Sequence, residues 1–345
     1  MNVGILTGGG DCPGLNAVIR AATRRLVESG HSVTGVLHGW RGMIEGETRP
    51  LDLDAVSGIL PRGGTILRSS RTNPYSTEGG VEAVRKRFDE IDALIAIGGD
   101  DTLGVAHRLY SEEGLAVIGV PKTIDNDLAA TDQTFGFDTA ISIVTEAIDR
   151  IHSTAESHDR VIVVEVMGRN AGWIAVASGI AGGADVVLIP EFPMSIERCA
   201  EVVRHRHEQR GKDFSIIVVS EGWPVTYEQG QEGLSTTSGE LDAFGHERLG
   251  GVGQRLALEI EERTGFETRA TILGHIQRGG SPTAYDRILA TRFGLLAADL
   301  VLKGDFGKMT ALRGTDVIPV PLAEGVAKLR TVTPEYYALA EAFFG

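Results

Sequence analysis

The sequence predicts an α/β protein built as two three-layer α/β/α units with a cleft between them, and three observations carry that prediction. Short apolar runs of about five residues alternate with amphipathic stretches of about 12 to 16, the pattern of repeated βαβ units and a parallel sheet. At 345 residues, 42% hydrophobic and 23% charged, the chain is long enough for two core-forming units. Two apolar runs also end abruptly in small and acidic residues, at Ile97-Gly98-Gly99-Asp100-Asp101-Thr102 and at Val120-Pro121-Lys122-Thr123-Ile124-Asp125-Asn126-Asp127. Buried parallel strands open in this way onto loops at their carboxyl ends, where ligands bind in such sheets.

In chain order, Val3 to Thr7 is a first strand. Leu15 to Ser29 is its helix, with Leu15, Val18, Ile19, Ala22 and Leu26 on one side. Ser32 to Leu37 is a second strand, and Gly39 to Pro61, rich in glycine and polar residues, takes no assignment. Gly63-Gly64-Thr65 opens a loop carrying Arg68 and Arg71, and a helix over Gly80 to Glu90 leads to strands at Ala93 to Ile97 and Ala116 to Val120, separated by a helix at Leu103 to Glu112. A second series follows. Helices are expected at Thr139 to Thr154, Asn170 to Ala181, Ser195 to Arg210, Val252 to Thr264 and Pro282 to Leu302. Strands are expected at Val161 to Glu165, Val186 to Ile189, Ser215 to Ser220 and Thr268 to Leu273. Pro224 to Gly251 holds six glycines without apolar period and is expected to be a long loop or excursion.

Composition narrows the function. A net charge of −14 excludes a nucleic-acid or membrane surface as the main partner, since both need a basic patch. Any phosphate site is therefore local. The two cysteines, Cys12 and Cys199, are far apart and are expected as reduced thiols, which fits a cytoplasmic protein. Met1 to Thr7 reads as a strand and not as a leader, and no apolar run approaches the roughly 18 to 20 residues of a membrane span.

The turn Gly8-Gly9-Gly10-Asp11-Cys12-Pro13-Gly14 lies between a strand and a helix, where backbone N–H groups approach a phosphate closely. It is neither a dinucleotide fingerprint nor a Walker A loop, and by itself it fits a merely tight turn too. Asp100 and Asp101 fit a helix N-cap and first turn, but two in succession facing a second acidic loop leave one for Mg²⁺, which takes oxygen ligands. Lys122 either neutralises these acids or offers a point charge to a transferring phosphoryl group. Asp125 and Asp127 fit either a solvated turn or a base with a supporting carboxylate. Arg71, Arg160, Arg169, Arg269 and Arg278 border loops, and Arg169 and Arg278 stand beside glycines at strand ends, which suits bidentate phosphate contacts. His152, His158, His205 and His207 lack metal spacing and are expected at the surface.

Thr7 to Asn16, Gly98-Gly99-Asp100, Thr123-Ile124-Asp125-Asn126-Asp127, Val164 to Arg169 and Leu273-Gly274-His275-Ile276-Gln277-Arg278-Gly279-Gly280 together resemble the phosphofructokinase family, in family order across most of the chain. The resemblance implies two Rossmann-like domains: residues 1–137 with 278–327 binding the donor, and residues 138–277 with 328–345 binding the sugar phosphate. It implies phosphoryl transfer to the 1-hydroxyl of fructose 6-phosphate with Mg²⁺. Asp125 would be the base, Asp127 its support and Asp100 the metal ligand, with Gly10, Arg71 and Thr102 on the donor side. Thr123, Asp125, Met167, Gly168, Arg169, Glu221, His275 and Arg278 would bind the sugar phosphate, and Arg160 and Arg269 would come from a neighbouring subunit of a homodimer or homotetramer.

Asp101 and Lys122 stand where the ATP-using branch typically carries glycine, and the pair is similar to the diphosphate-dependent branch. A carboxylate at 101 repels the α-phosphate of a nucleotide. Two like charges about 4 Å apart cost on the order of several kcal/mol at intermediate dielectric. The implied substrates are thus fructose 6-phosphate and diphosphate. The alternatives are an ATP-dependent enzyme that tolerates this pair, or a sugar-phosphate sensor, against which Asp125 and Asp127 speak because a binding module needs no base. Arg20, Arg24 and Glu191 match parts of the bacterial effector site, but His152 and Asp213 stand where regulated relatives carry basic residues, so a weak or absent response to nucleotide effectors is implied.

Overall fold

The computed structural model describes residues 1–228, 237–241 and 247–345. In chain order the elements are β1 (Asn2–Thr7), α1 (Leu15–Glu28), β2 (Ser32–Val36), α2 (Trp40–Glu45), β3 (Thr48–Leu51), α3 (Gly80–Arg87), β4 (Ala93–Gly98), α4 (Asp100–Glu113), β5 (Val117–Pro121), α5 (Phe137–Ser157), β6 (Val161–Val166), α6 (Trp173–Ala181) and β7 (Val186–Leu188). There follow α7 (Ile196–Arg204), β8 (Ser215–Ser220), β9 (Thr237–Leu241), β10 (Glu247–Leu249), α8 (Val252–Thr264), β11 (Thr268–Ile272), α9 (Ala284–Lys303), β12 (Lys308–Arg313), β13 (Asp316–Pro321), α10 (Leu322–Val326) and α11 (Pro334–Glu341).

The central strands form because their runs are apolar on both faces: every residue of β4, β5, β6 and β8 is buried. They belong to two sheets. The first has seven strands in the order β13-β12-β5-β4-β1-β2-β3, and the second has four in the order β11-β6-β8-β7. All pairs of the second sheet are parallel, whereas the first is closed at both edges by antiparallel pairs, β2 with β3 and β12 with β13. The expectation of parallel sheets holds for the centres and fails at these edges. Pro50, Pro319 and Pro321 lie in β3 and β13, outer positions where a missing N–H costs no ladder bond.

One hydrophobic core joins the two sheets through α1, α5, α6 and α9, and two further cores cover their outer faces. On α1, Leu15, Val18, Ile19, Ala22 and Leu26 are all buried, each large side chain contributing roughly 1.5 to 3 kcal/mol. Helix α9 approaches α1 so closely that a Cβ on Gly294 would lie 2.6 Å from the Val18 carbonyl.

The structure adds to three of these readings. Gly39 to Pro61, which takes no assignment from its sequence, contains α2 and β3. Pro224 to Gly251 is not only loop: its described part carries the antiparallel pair β9 and β10, while 229–236 and 242–246 lie outside the described residues. Of the histidines expected at the surface, His152 and His207 are half-buried, His152 edge-on to Phe214 and His207 stacked on Phe266 at 4.2 Å. Both cysteines are buried free thiols, and no helix among the described residues is long and apolar enough to cross a membrane.

Candidate active site

The parallel register sets the ends of neighbouring strands level. Thr7 pairs with Ile97 and Gly98 with Pro121, so the loops after β1, β4 and β5 emerge together. The chain leaves β1 for β2 on one side and later returns to β4 on the other, which makes the β1/β4 crevice a topological switch point. In the second sheet, β11, β6 and β8 are adjacent, and their ends carry His275 and Arg278, Met167 to Asn170, and Glu221. The two sets of loops line one cleft of about 410 Å³. Its walls are Gly9, Gly10, Arg71, Gly99 to Thr102, Lys122, Thr123, Asp125, Asp127, Met167, Arg169, Asn170, Glu221, His275 and Arg278.

Each wall is held by identifiable bonds. The Gly8 N–H donates to Ile97 and the Gly9 N–H to Ser70, while Ser69 Oγ donates to the Gly9 carbonyl at 2.5 Å. Buried Asn16 receives the Ile66 N–H and donates to Arg62, and Thr7 Oγ1 donates to the Arg68 carbonyl, so the segment leading to Arg71 is pinned to β1 and α1. Gly99 is the N-cap of α4. Asp100 and Asp101 therefore both lie in the first turn, where the helix dipole favours their charge, and neither is the cap. Thr102 is buried between two glycines: a Cβ on Gly8 or on Gly98 would lie 2.5 or 2.2 Å from it.

Lys122 is buried, and its Nζ donates to the Gly10 carbonyl. Across the cleft, buried Gln277 accepts the Met167 N–H at 3.1 Å, which ties the short 3-10 turn at Gly274–Arg278 to the end of β6. Arg278 reaches the first sheet, donating to the Asp11 carbonyl at 3.4 Å. Gly168 does not line the cleft but supports it, its N–H near Glu221 Oε1 at 3.4 Å and its carbonyl taking the Ser220 hydroxyl.

The electrostatics follow from burial. Burial raises Asp127 to about 7, with the charges of Asp125 and Asp100 adding to the effect. It raises Asp125 as well, against Arg278 and Lys122, and Asp125 Oδ1 is buried without a hydrogen-bond partner among the described residues. Glu221 is pushed up to about 7 by burial and then by Asp125, and burial holds Lys122 below the usual lysine range. Raised carboxylates facing cations in a cleft can exchange protons near neutral pH.

Two expected residues lie elsewhere. Arg160 pairs with Glu267 at 2.8 Å, and Arg269 pairs with Glu267 at 2.5 Å and Glu261 at 3.4 Å, all beside the outer strand β11. Glu191, matched to an effector site, accepts the Gly172 N–H at 3.0 Å and the Val332 N–H at 2.9 Å. Asn170 also lines the cleft, and the signal in the sequence that marks it is its place beside Arg169 just past a strand end.

A model of the phosphofructokinase family matches residues 2–301. The chain is 63% identical to the pyrophosphate–fructose 6-phosphate 1-phosphotransferase of Amycolatopsis methanolica over the whole of both chains. It is 54% identical to ATP-dependent 6-phosphofructokinase 3 of Streptomyces coelicolor over 99% of each. Among solved structures, phosphofructokinase from Saccharomyces cerevisiae superposes with a TM-score of 0.80 at 30% identity, covering 94% of this chain and 45% of that one, so the chain spans less than half the yeast protein. The chain belongs to the phosphofructokinase family.

Proposed function

We propose that this phosphofructokinase transfers a phosphoryl group reversibly from diphosphate to the 1-hydroxyl of fructose 6-phosphate, giving fructose 1,6-bisphosphate and phosphate in glycolysis. The observation that carries the reading is the presence of Asp101 and Lys122 together in the cleft, beside Asp100 and the Gly10 loop. A carboxylate at 101 opposes the α-phosphate of a nucleotide, and diphosphate has no such third group. The relative at 63% identity bears the name of a diphosphate enzyme. The relative at 54% bears the name of an ATP enzyme, which makes ATP the second reading.

Asp125 takes the proton of the 1-hydroxyl while that oxygen bonds to phosphorus and the bridging P–O bond of diphosphate breaks, the electron pair leaving with phosphate. Its raised affinity for a proton and its unpaired oxygen suit a base working near neutral pH. Asp127 supports it. Lys122 stabilises the charge spread over the transferring group, the main demand of this chemistry. Gly10, Arg71 and Thr102 belong to the donor side. Thr123, Met167, Arg169, Glu221, His275 and Arg278 belong to the sugar phosphate, and Gly168 supports them through its bonds to Glu221 and Ser220.

The cleft fits Mg²⁺ in the chemistry of its donors. Asp100 lines the cleft beside the donor loop as a hard oxygen ligand, and phosphate oxygens with water complete such a shell. Bound there, with Asp100 as its ligand, the ion would neutralise donor charge. The domain division at 1–137 with 278–327 and 138–277 with 328–345 is supported by the membership of the sheets, since β12 and β13 join the first and Tyr337 of α11 donates to the Val187 carbonyl in β7 of the second. Arg160 and Arg269, along outer strand β11, would serve the site of a neighbouring subunit in a homodimer or homotetramer. The acidic surface and buried free thiols support a cytoplasmic enzyme without nucleic-acid or membrane partners.

The reverse reaction tests the reading: fructose 1,6-bisphosphate with labelled phosphate should yield labelled diphosphate without any nucleotide. Reverse turnover that requires ADP would overturn it.

A further inference from the structure

The loop carrying Asp125 and Asp127 is held from outside the cleft. Asn126 between them has φ 53°, a left-handed conformation that asparagine adopts more readily than most residues other than glycine. Its Oδ1 accepts the Thr134 N–H at 3.0 Å. Its carbonyl accepts from Arg330 Nη1 at 3.1 Å. The Arg330 N–H donates to the Asp127 carbonyl at 2.7 Å, and Leu128 and Leu329 form an antiparallel bridge alongside.

Arg330 is itself anchored. Its guanidinium lies 4.1 Å from the centroid of the Trp173 ring, and its carbonyl accepts the Trp173 Nε1–H at 2.9 Å. Trp173 is the first residue of α6, just beyond the cleft-lining Arg169 and Asn170. The Glu191 carboxylate clamps both neighbours, taking the N–H groups of Gly172 and Val332. A short C-terminal segment thus joins the acidic loop after β5 to the helix after β6.

We propose that Arg330, stacked on Trp173, is a positioning residue: it fixes the peptide around Asn126 so that the Asp125 carboxylate stays aimed at the hydroxyl it deprotonates. The proposal rests on the role assigned to Asp125. A planar guanidinium can stack on a ring and donate in its own plane at once, which an ammonium cannot reproduce. The Arg330 guanidinium bonds to the loop through the Asn126 carbonyl and is not among the residues that line the cleft, so its loss should affect turnover and leave substrate affinity nearly intact.

The test is steady-state kinetics of full-length Arg330→Ala, Trp173→Phe and Asp125→Asn. Arg330→Ala should lose about 10- to 100-fold in kcat, with KM for both substrates within about threefold of wild type, the scale of a misplacement of about 1 Å. Millimolar guanidinium should restore part of that loss and leave the wild type unstimulated. Unchanged kcat, or a loss that merely follows the unfolded fraction and does not respond to guanidinium, would overturn the proposal. Should Arg330→Ala fail to fold, Trp173→Phe decides: it keeps a ring beneath the guanidinium but removes one hydrogen bond, and about a two- to fivefold fall in kcat at unchanged KM is expected. An unaltered kcat there counts against the proposal. Asp125→Asn separates the two claims, since an active Asp125→Asn refutes the base itself, whereas an inactive one beside a fully active Arg330→Ala refutes only the positioning.

Discussion

Lys122 donates to the carbonyl of Gly10, joining the end of β5 to the glycine turn after β1. The bond gives a buried cation a fixed place at the donor end of the cleft, where burial already lowers its hold on its proton. Lys122→Met keeps much of the volume and removes the charge. The expected outcome is a fall of about 10²- to 10³-fold in kcat with diphosphate, the usual cost of one aimed electrostatic donor. Steady-state kinetics on folded protein, checked by circular dichroism, measure it.

Gly10 is required by Arg278 and not by its own backbone. A Cβ there would lie 2.6 Å from Arg278 Nη1, so Gly10→Ala pushes the guanidinium away from the cleft. Loss of one charge-assisted contact predicts about a 10- to 100-fold rise in KM for fructose 6-phosphate. Titrating the sugar phosphate at saturating donor checks the effect, and melting temperature should barely change.

Asp125→Asn removes the base and leaves a side chain of similar shape. A fall of about 10²- to 10⁴-fold in kcat is expected, the range of general base catalysis. Fructose 6-phosphate binding measured by calorimetry should survive.

The raised carboxylates give stability a pH signature. Asp127 and Glu221 bind protons up to about 7 in the fold and only to the ordinary carboxylate range when unfolded. The native state therefore holds more protons between these limits, and stability falls as pH rises through that window. Asp127→Asn removes the penalty, which is on the order of 2 to 4 kcal/mol at pH 8 and smaller at pH 5. Melting temperatures without Mg²⁺ should show the variant gaining more over wild type at pH 8 than at pH 5. Activity should move the opposite way, rising with pH as Asp125 ionises.

Legibility in the sequence followed physical cause. Buried strands such as Ala93–Gly98 announce themselves because both faces are apolar, and their ends carry Asp100 and Asp125 into view. Strands β3 and β13 were hidden by exposed positions and prolines, since edge pairing asks little of side chains. Within the site, Lys122 and the acids stand on contiguous motifs, whereas Glu221 stands out only through family resemblance. Arg330 and Trp173 had no local signal, because their meaning lies in a contact between Asn126 and a segment far along the chain.

The most direct test of the account is the ratio of kcat/KM for diphosphate to that for ATP, measured on one preparation with fructose 6-phosphate and Mg²⁺. Asp101 and Lys122 predict a preference for diphosphate of about 10²-fold or more, the equivalent of roughly 3 kcal/mol. In the variant with Asp101→Gly and Lys122→Gly, most diphosphate activity should disappear. A wild type that uses ATP as well as or better than diphosphate would contradict the account.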